Sequence, residues 1–289
     1  MTLVNKIKTV AIVGAGTMGL GIAQVCCMRG YKTLIYDVDP LLKEKAIGSI
    51  SESLSLAVIK GKFTKEKRVE ALSLLTIAKT TSELKADLII EAVTENLEVK
   101  QKLFLELEEI NQGLAILVSN TSSISITQIA SVLKNPGQCV GLHFFNPAPL
   151  MKLVEVVAGV ATYAEVVALT KEFAVSLNKT VVMVKDSPGF IVNRVARHYY
   201  VEALKLLEEG VATPEQTDSL LRSAGFKMGP FELMDLIGMN VNFAVTSSLY
   251  ASFHFDPKFR PSRIQEQKVM AGHLGRKTGK GFYDYDVKK

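Results

Sequence analysis

TVAIVGAGTMGLGIAQ, residues 9–24, decides the fold. An apolar, strand-like run meets Gly14, and Gly14, Gly16 and Gly19 then form GxGxxG at the head of a helical pattern. In that setting Gly14 permits a tight turn, Gly16 lets the backbone approach a pyrophosphate, and Gly19 allows close helix–strand packing. The helix N-terminus offers N–H groups and a positive dipole end to the anion. Ala15, Thr17 and Met18 share the turn and count with the glycines as candidate cofactor contacts. Glycine spacing alone is weak evidence. Its companion is Asp37, which ends the next apolar run, TLIYD, about 20 residues on, where the acid that binds the adenosine ribose hydroxyls is expected. Val38 and Asp39 follow it rather than an arginine, so a 2'-phosphate would meet repulsion and NAD is expected over NADP.

Working outward, strand-like runs alternate with helical patterns: DLIIEAV (87–93), AILVSN (115–120), VGLHFF (140–145), KLVEVVAG (152–159) and TVVMVKD (180–186). Such alternation predicts an α/β domain, a Rossmann-type, doubly wound, mostly parallel sheet over residues 1–186. From Ser187 onward strand signals nearly vanish, which predicts a second, all-α domain over 187–289. Between Asp37 and Asp87 the chain is longer than one crossover helix needs. Helices over 41–60 and 64–75 are expected there, a helical excursion at about 41–80. PGFIVNRVARHYYVEALKLLEEG, with proline early and glycine at the end, reads as one long helix.

The composition, 289 residues with 48% apolar and 22% charged, is that of a globular protein, and the net charge of +5 is spread along the chain. That excludes no small anionic ligand and calls for no nucleic acid. The N-terminus lacks a signal-peptide core, and the longest apolar-leaning stretch, LVEVVAGVATYAEVVAL, carries two glutamates, so neither export nor a membrane span is expected. Three cysteines, Cys26, Cys27 and Cys139, suit a reducing, cytoplasmic setting. Cys26 and Cys27 read as helix packing residues. Four histidines without HxxxH or CxxC spacing argue against a metal.

His143 closes a strand, where open α/β sheets present groups to a ligand. Glu155 stands within MKLVEVV, and a carboxylate in an apolar strand needs a hydrogen-bonded or cationic partner. If the two pair, Glu155 orients the imidazole and stabilises its cation, so that His143 can take a proton from a substrate hydroxyl. A polar tie between neighbouring strands explains the same spacing, and on spacing alone the two readings stand level.

With these residues in place the chain resembles the L-3-hydroxyacyl-CoA dehydrogenases, especially the monofunctional bacterial 3-hydroxybutyryl-CoA type. The resemblance rests on VAIVGAGTMGLGIA, YDVDP, EAVTENLEVK, SNTSS, GLHFFNPAPLMKLVEVV, DSPGFIVNR, MGPFELMDLIG and GRKTGKGFYDY, in family order over essentially the whole chain. It implies that His143 is the catalytic base and Glu155 its paired carboxylate, that Ser122 binds the substrate's reacting oxygen, and that Asn193 helps hold the same region. Read without it, Ser122 is a turn residue and Asn193 an early-helix residue. It also implies that Glu95, Lys100, Asn146 and Lys277 contact NAD, although Lys100 reads equally as a solvated helix residue. An acyl-CoA substrate, coenzyme A contacts from the helical excursion and a homodimer formed through the C-terminal helices are implied as well. Related enzymes that oxidise L-gulonate or carnitine with the same dyad, and a non-catalytic NAD-binding protein, are the alternatives.

Overall fold

The computed structural model of the chain describes residues 7–285. Two compact units divide it, one ending at Ser187 and the other starting at Pro188. No helix among the described residues is long and apolar enough to cross a membrane.

The first unit is built on eight strands: β1 (Thr9–Val13), β2 (Lys32–Tyr36), β3 (Leu75–Ile77), β4 (Leu88–Glu91), β5 (Ile116–Ser119), β6 (Cys139–Phe144), β7 (Leu153–Ala158) and β8 (Thr180–Lys185). They lie in the order 3-2-1-4-5-6-7-8. Neighbours pair in parallel except β6 and β7, which run antiparallel, so the last two strands oppose the other six. The central strands are buried along their whole length, which is why they read as unbroken apolar runs. Helices α1 (Thr17–Cys27), α4 (Leu97–Ile110), α5 (Ile126–Ala130) and α6 (Ala164–Ser176) belong to the same unit, and Cys26 and Cys27 are buried in the core as expected.

The excursion differs from its expected form. Helices α2 (Pro40–Ile59) and α3 (Lys65–Ser73) are there, capped by Asp39 and Thr64, but Leu75–Ile77 then joins the sheet edge as β3 instead of continuing a helix. Three residues are too few for alternation to show, so the sequence pattern misses this strand.

The second unit is helical: α7 (Val192–Glu208), α8 (Pro214–Ser223), α9 (Pro230–Ile237), α10 (Met239–Ser252) and α11 (Arg263–Met270). The expected long helix starts at Val192 rather than near Pro188, because Gly189 and Phe190 take positive φ values of 70° and 53° that no α-helix accepts. Gly238, at φ 100°, separates α9 from α10. Asp235 accepts hydrogen bonds from the N–H groups of Phe282 and Tyr283 and from the Tyr285 hydroxyl, at 2.9, 3.0 and 3.0 Å. This pins the GRKTGKGFYDY tail onto α9.

Candidate active site

The glycine turn joins β1 to α1. Gly14 has φ 107°, and a Cβ there would stand 2.5 Å from the carbonyl oxygen of Ala92 on the next loop of the sheet. At Gly19 a Cβ would lie 1.7 Å from the Gly14 oxygen, so helix and strand can approach only without a side chain. Gly16 is different: nothing lies within 4 Å of a Cβ built there. Gly16 is also the N-cap of α1, whose first turn has no acidic residue and no side-chain cap. The amides and the space therefore remain for an anion.

Asp37 sits one residue past β2. Its carboxylate accepts the Ala15 N–H at 2.6 Å and the Asp39 N–H at 2.9 Å, which fixes it beside the turn. Uncapped amides, open space at Gly16 and a fixed carboxylate together fit a dinucleotide.

His143 and Glu155 are direct cross-strand partners in the antiparallel β6–β7 pair. Side chains of such partners leave the sheet on one face, a few ångströms apart. Here Nδ1 of His143 lies 2.7 Å from Oε2 of Glu155, and the two residues are 6% and 1% exposed. The register, which sequence spacing leaves open, is what turns two residues twelve positions apart into a pair.

A second polar cluster forms where β4 and β5 end. Oε1 of Glu95 receives hydrogen bonds from the Thr121 hydroxyl (2.6 Å), the Ser122 N–H (3.0 Å) and hydroxyl (3.3 Å) and the Ser123 hydroxyl (3.1 Å). Burial alone would raise the Glu95 carboxyl, but the Lys100 ammonium and these donors hold it below the usual range. Asn120 then ties this loop to the strand of His143, its Oδ1 accepting the Phe144 N–H at 2.9 Å. Ser122 and His143 are thus held by adjoining pieces of one framework.

Lys100 is no solvated helix residue: it is 1% exposed, and its ammonium contacts Glu91 at 2.6 Å and Glu95 at 3.2 Å. Glu91 is a residue that sequence reasoning passes over. It ends β4, is fully buried and accepts hydrogen bonds from Lys100, the Val93 N–H and the hydroxyl of its register partner Ser119. Desolvation pushes its carboxyl up despite these contacts. The argument applied to Glu155, an acid in an apolar strand, applies equally to DLIIE and is the signal that finds it.

Asn146 is exposed just after β6. The turn that follows is clamped by buried Lys179, which donates to the carbonyls of Ala148 (2.5 Å) and Met151 (2.8 Å). Asn193 and Lys277 belong to the second unit. Asn193 is in the first turn of α7, and Lys277, exposed on a 3₁₀ turn, donates to Oδ1 of Asn240 at 2.5 Å.

The family model described as "3-hydroxyacyl-CoA dehydrogenase, NAD binding domain" matches residues 9–187, and the one described as "3-hydroxyacyl-CoA dehydrogenase, C-terminal domain" matches 189–285. The chain belongs to the 3-hydroxyacyl-CoA dehydrogenase family. It is an NAD-dependent oxidoreductase of that family. The probable 3-hydroxybutyryl-CoA dehydrogenase of Bacillus subtilis is 39% identical over 98% of this chain and 99% of its own length. The crystal structure of (S)-3-hydroxybutyryl-CoA dehydrogenase from Ralstonia eutropha, 40% identical, superposes with a TM-score of 0.93 over 97% of this chain and 99% of that one. The 3-hydroxyadipyl-CoA dehydrogenase of Escherichia coli K12 is 49% identical over 98% of this chain, which spans 60% of that longer protein. Of the two buried strand acids, Glu91 accepts from Ser119 at the end of β5 and Glu155 contacts His143.

Proposed function

We propose that this dehydrogenase interconverts short-chain L-3-hydroxyacyl-CoA, such as 3-hydroxybutyryl-CoA, and the 3-ketoacyl-CoA, with His143 as the proton carrier. The observation that carries the reading is the buried 2.7 Å contact between His143 Nδ1 and Glu155 Oε2 in a chain whose glycine turn fits a dinucleotide. The same relatives' names support the thioester substrate.

Bound NAD supplies the hydride acceptor. Gly14 to Gly19 and Asp37 would hold it, with Glu95, its ion-pair partner Lys100, Asn146 and Lys277 as further contacts. Glu155 occupies Nδ1, which commits Nε2 of His143 to the proton of the 3-hydroxyl. As that proton arrives the imidazole becomes a cation, and the carboxylate 2.7 Å away stabilises it. The Ser122 hydroxyl, turning from its long 3.3 Å contact with Glu95, would donate to the C3 oxygen, and Asn193 would hold the same region, so that developing negative charge meets a donor. In the reverse direction His143 returns the proton to the alkoxide.

A homodimer formed through the second unit and a cytoplasmic location, in keeping with buried, unpaired cysteines, complete the reading. The substrate test compares reduction of acetoacetyl-CoA by NADH or NADPH with oxidation of free hydroxy acids such as L-gulonate and carnitine by NAD+ or NADP+. Rapid NADH oxidation by acetoacetyl-CoA supports the assignment. Turnover of a free hydroxy acid with none of the thioester overturns it, and an NADPH preference overturns the role of Asp37. A dicarboxylic acyl chain is a second reading, favoured by a buried cation in the second unit, Arg197.

A further inference from the structure

Arg197 lies on α7 and is 3% exposed. Its Nη1 donates to the carbonyl of Asn242 at 3.0 Å and to the hydroxyl of Thr246 at 2.9 Å, and its Nε to the carbonyl of Asn193 at 3.3 Å. The guanidinium also stands 4.7 Å from the centroid of the Tyr200 ring. Every one of these partners is neutral. Among the described residues no ion pair includes Arg197. Desolvation pushes it down to about 10, so it stays charged at neutral pH.

A buried cation without a counter-ion is costly, and folded proteins pair such ions or give them a ligand. The neighbouring amides are also unfinished. Asn242, whose side-chain oxygen accepts from Gln265 at 2.7 Å, has a buried Nδ2 with no partner among the described residues, as does Oε1 of Gln265. Asn242 Nδ2 lacks an acceptor and Gln265 Oε1 a donor, so the amides carry no net preference; it is the Arg197 guanidinium that no carboxylate answers among the described residues.

The position of the cation suggests the anion. Arg197 follows Asn193 by four residues, hence one turn further along the same face of α7, about 6 Å along the axis. A substrate with its C3 oxygen at Asn193 needs only a few more chain atoms to bring its terminal group to the guanidinium. A six-carbon chain, with three bonds from C3 to the terminal carbon, has that reach. Arginine suits the task, because its planar fork matches a carboxylate.

We propose that Arg197 is the receptor for the terminal carboxylate of a dicarboxylic acyl-CoA substrate of about six carbons. This rests on the reading above that Asn193 holds the region of the reacting oxygen. It makes the cation a specificity determinant rather than a brace between α7 and α10.

The test uses two thioesters of equal length, 3-oxoadipyl-CoA and 3-oxohexanoyl-CoA, which differ only in the terminal carboxylate, with acetoacetyl-CoA as reference and NADH oxidation as the signal. The wild-type protein is expected to favour 3-oxoadipyl-CoA in kcat/KM by roughly tenfold to a hundredfold, the worth of one charged hydrogen-bonded contact. Arg197→Met is expected to abolish or invert that ratio, while Arg197→Lys keeps part of it. Equal use of the two thioesters by the wild type, or a preference for 3-oxohexanoyl-CoA, overturns the proposal even if the methionine variant fails to fold. So does a methionine variant that keeps the preference. Reduction of acetoacetyl-CoA without any preference for the carboxylate sinks this proposal and leaves the dehydrogenase reading standing; failure to reduce any of the three sinks both.

Discussion

Replacing Glu155 by Gln keeps the shape of the side chain and removes its charge, which isolates what the carboxylate does for His143. In the native site Oε2 accepts from Nδ1 at 2.7 Å in a pair that is almost wholly buried. Two outcomes are open to the glutamine. If its carbonyl oxygen faces Nδ1, the ring keeps its tautomer and loses only the charge-assisted part of the contact, about 1.5–3 kcal/mol, or roughly 10- to 100-fold in rate. If its amide N–H₂ faces Nδ1, the ring proton moves to Nε2, and the nitrogen that should accept the substrate proton is blocked. The equivalent amide swap in the serine protease triad costs about 10⁴-fold in kcat. The expected loss is therefore between about 10-fold and 10⁴-fold, and it falls on kcat. Steady-state reduction of acetoacetyl-CoA gives kcat, and fluorescence titration gives NADH affinity. A variant within about threefold of wild-type kcat, or one whose defect is confined to NADH affinity, would refute the pairing as a catalytic device.

The glycine turn separates two effects: Gly19→Ala collides with the Gly14 oxygen and is expected to lose at least about 1–3 kcal/mol of stability, whereas Gly16→Ala keeps its melting temperature and raises the KM for NADH. Thermal unfolding and cofactor titration of both variants check this together. Glu91→Gln leaves the buried Lys100 ammonium with Glu95 as its remaining carboxylate contact, and a loss of about 3 kcal/mol is expected in chemical denaturation. The Glu95 carboxyl is held below its ordinary value of 4.5, so its contribution to stability is present above that pH and fades as pH falls through the folded value. Unfolding curves between pH 6 and pH 3, about that range, are expected to decline more steeply for the wild type than for Glu95→Gln.

The parts of this molecule that sequence reveals are those where a local pattern has one physical solution. GxGxxG between an apolar run and a helix leaves room for one turn, and the contacts a Cβ would make at Gly14 and Gly19 show why. Asp37 follows from the same logic. The dyad is half legible: an acid inside LVEVV demands a partner, but that His143 is the partner depends on the β6–β7 register, which is set by the turn between them. β3 is hidden because three residues carry no periodicity, and the start of α7 because the left-handed backbone at Gly189 and Phe190 follows the proline. The burial of Lys100 is invisible for another reason. Its partner Glu91 lies on the neighbouring strand, and a lysine in a helix otherwise signals solvent. Arg197 escapes notice in the same way, since only packing shows that no carboxylate meets it.

The central claim is that His143 carries the proton. The most direct measurement is kcat for 3-ketoacyl-CoA reduction by NADH in His143→Gln, with NADH binding and thermal unfolding measured on the same preparation. The account expects turnover to drop by about 10²- to 10⁴-fold, the worth of general acid–base catalysis, while cofactor binding and the fold persist. Turnover near that of the wild type would contradict it.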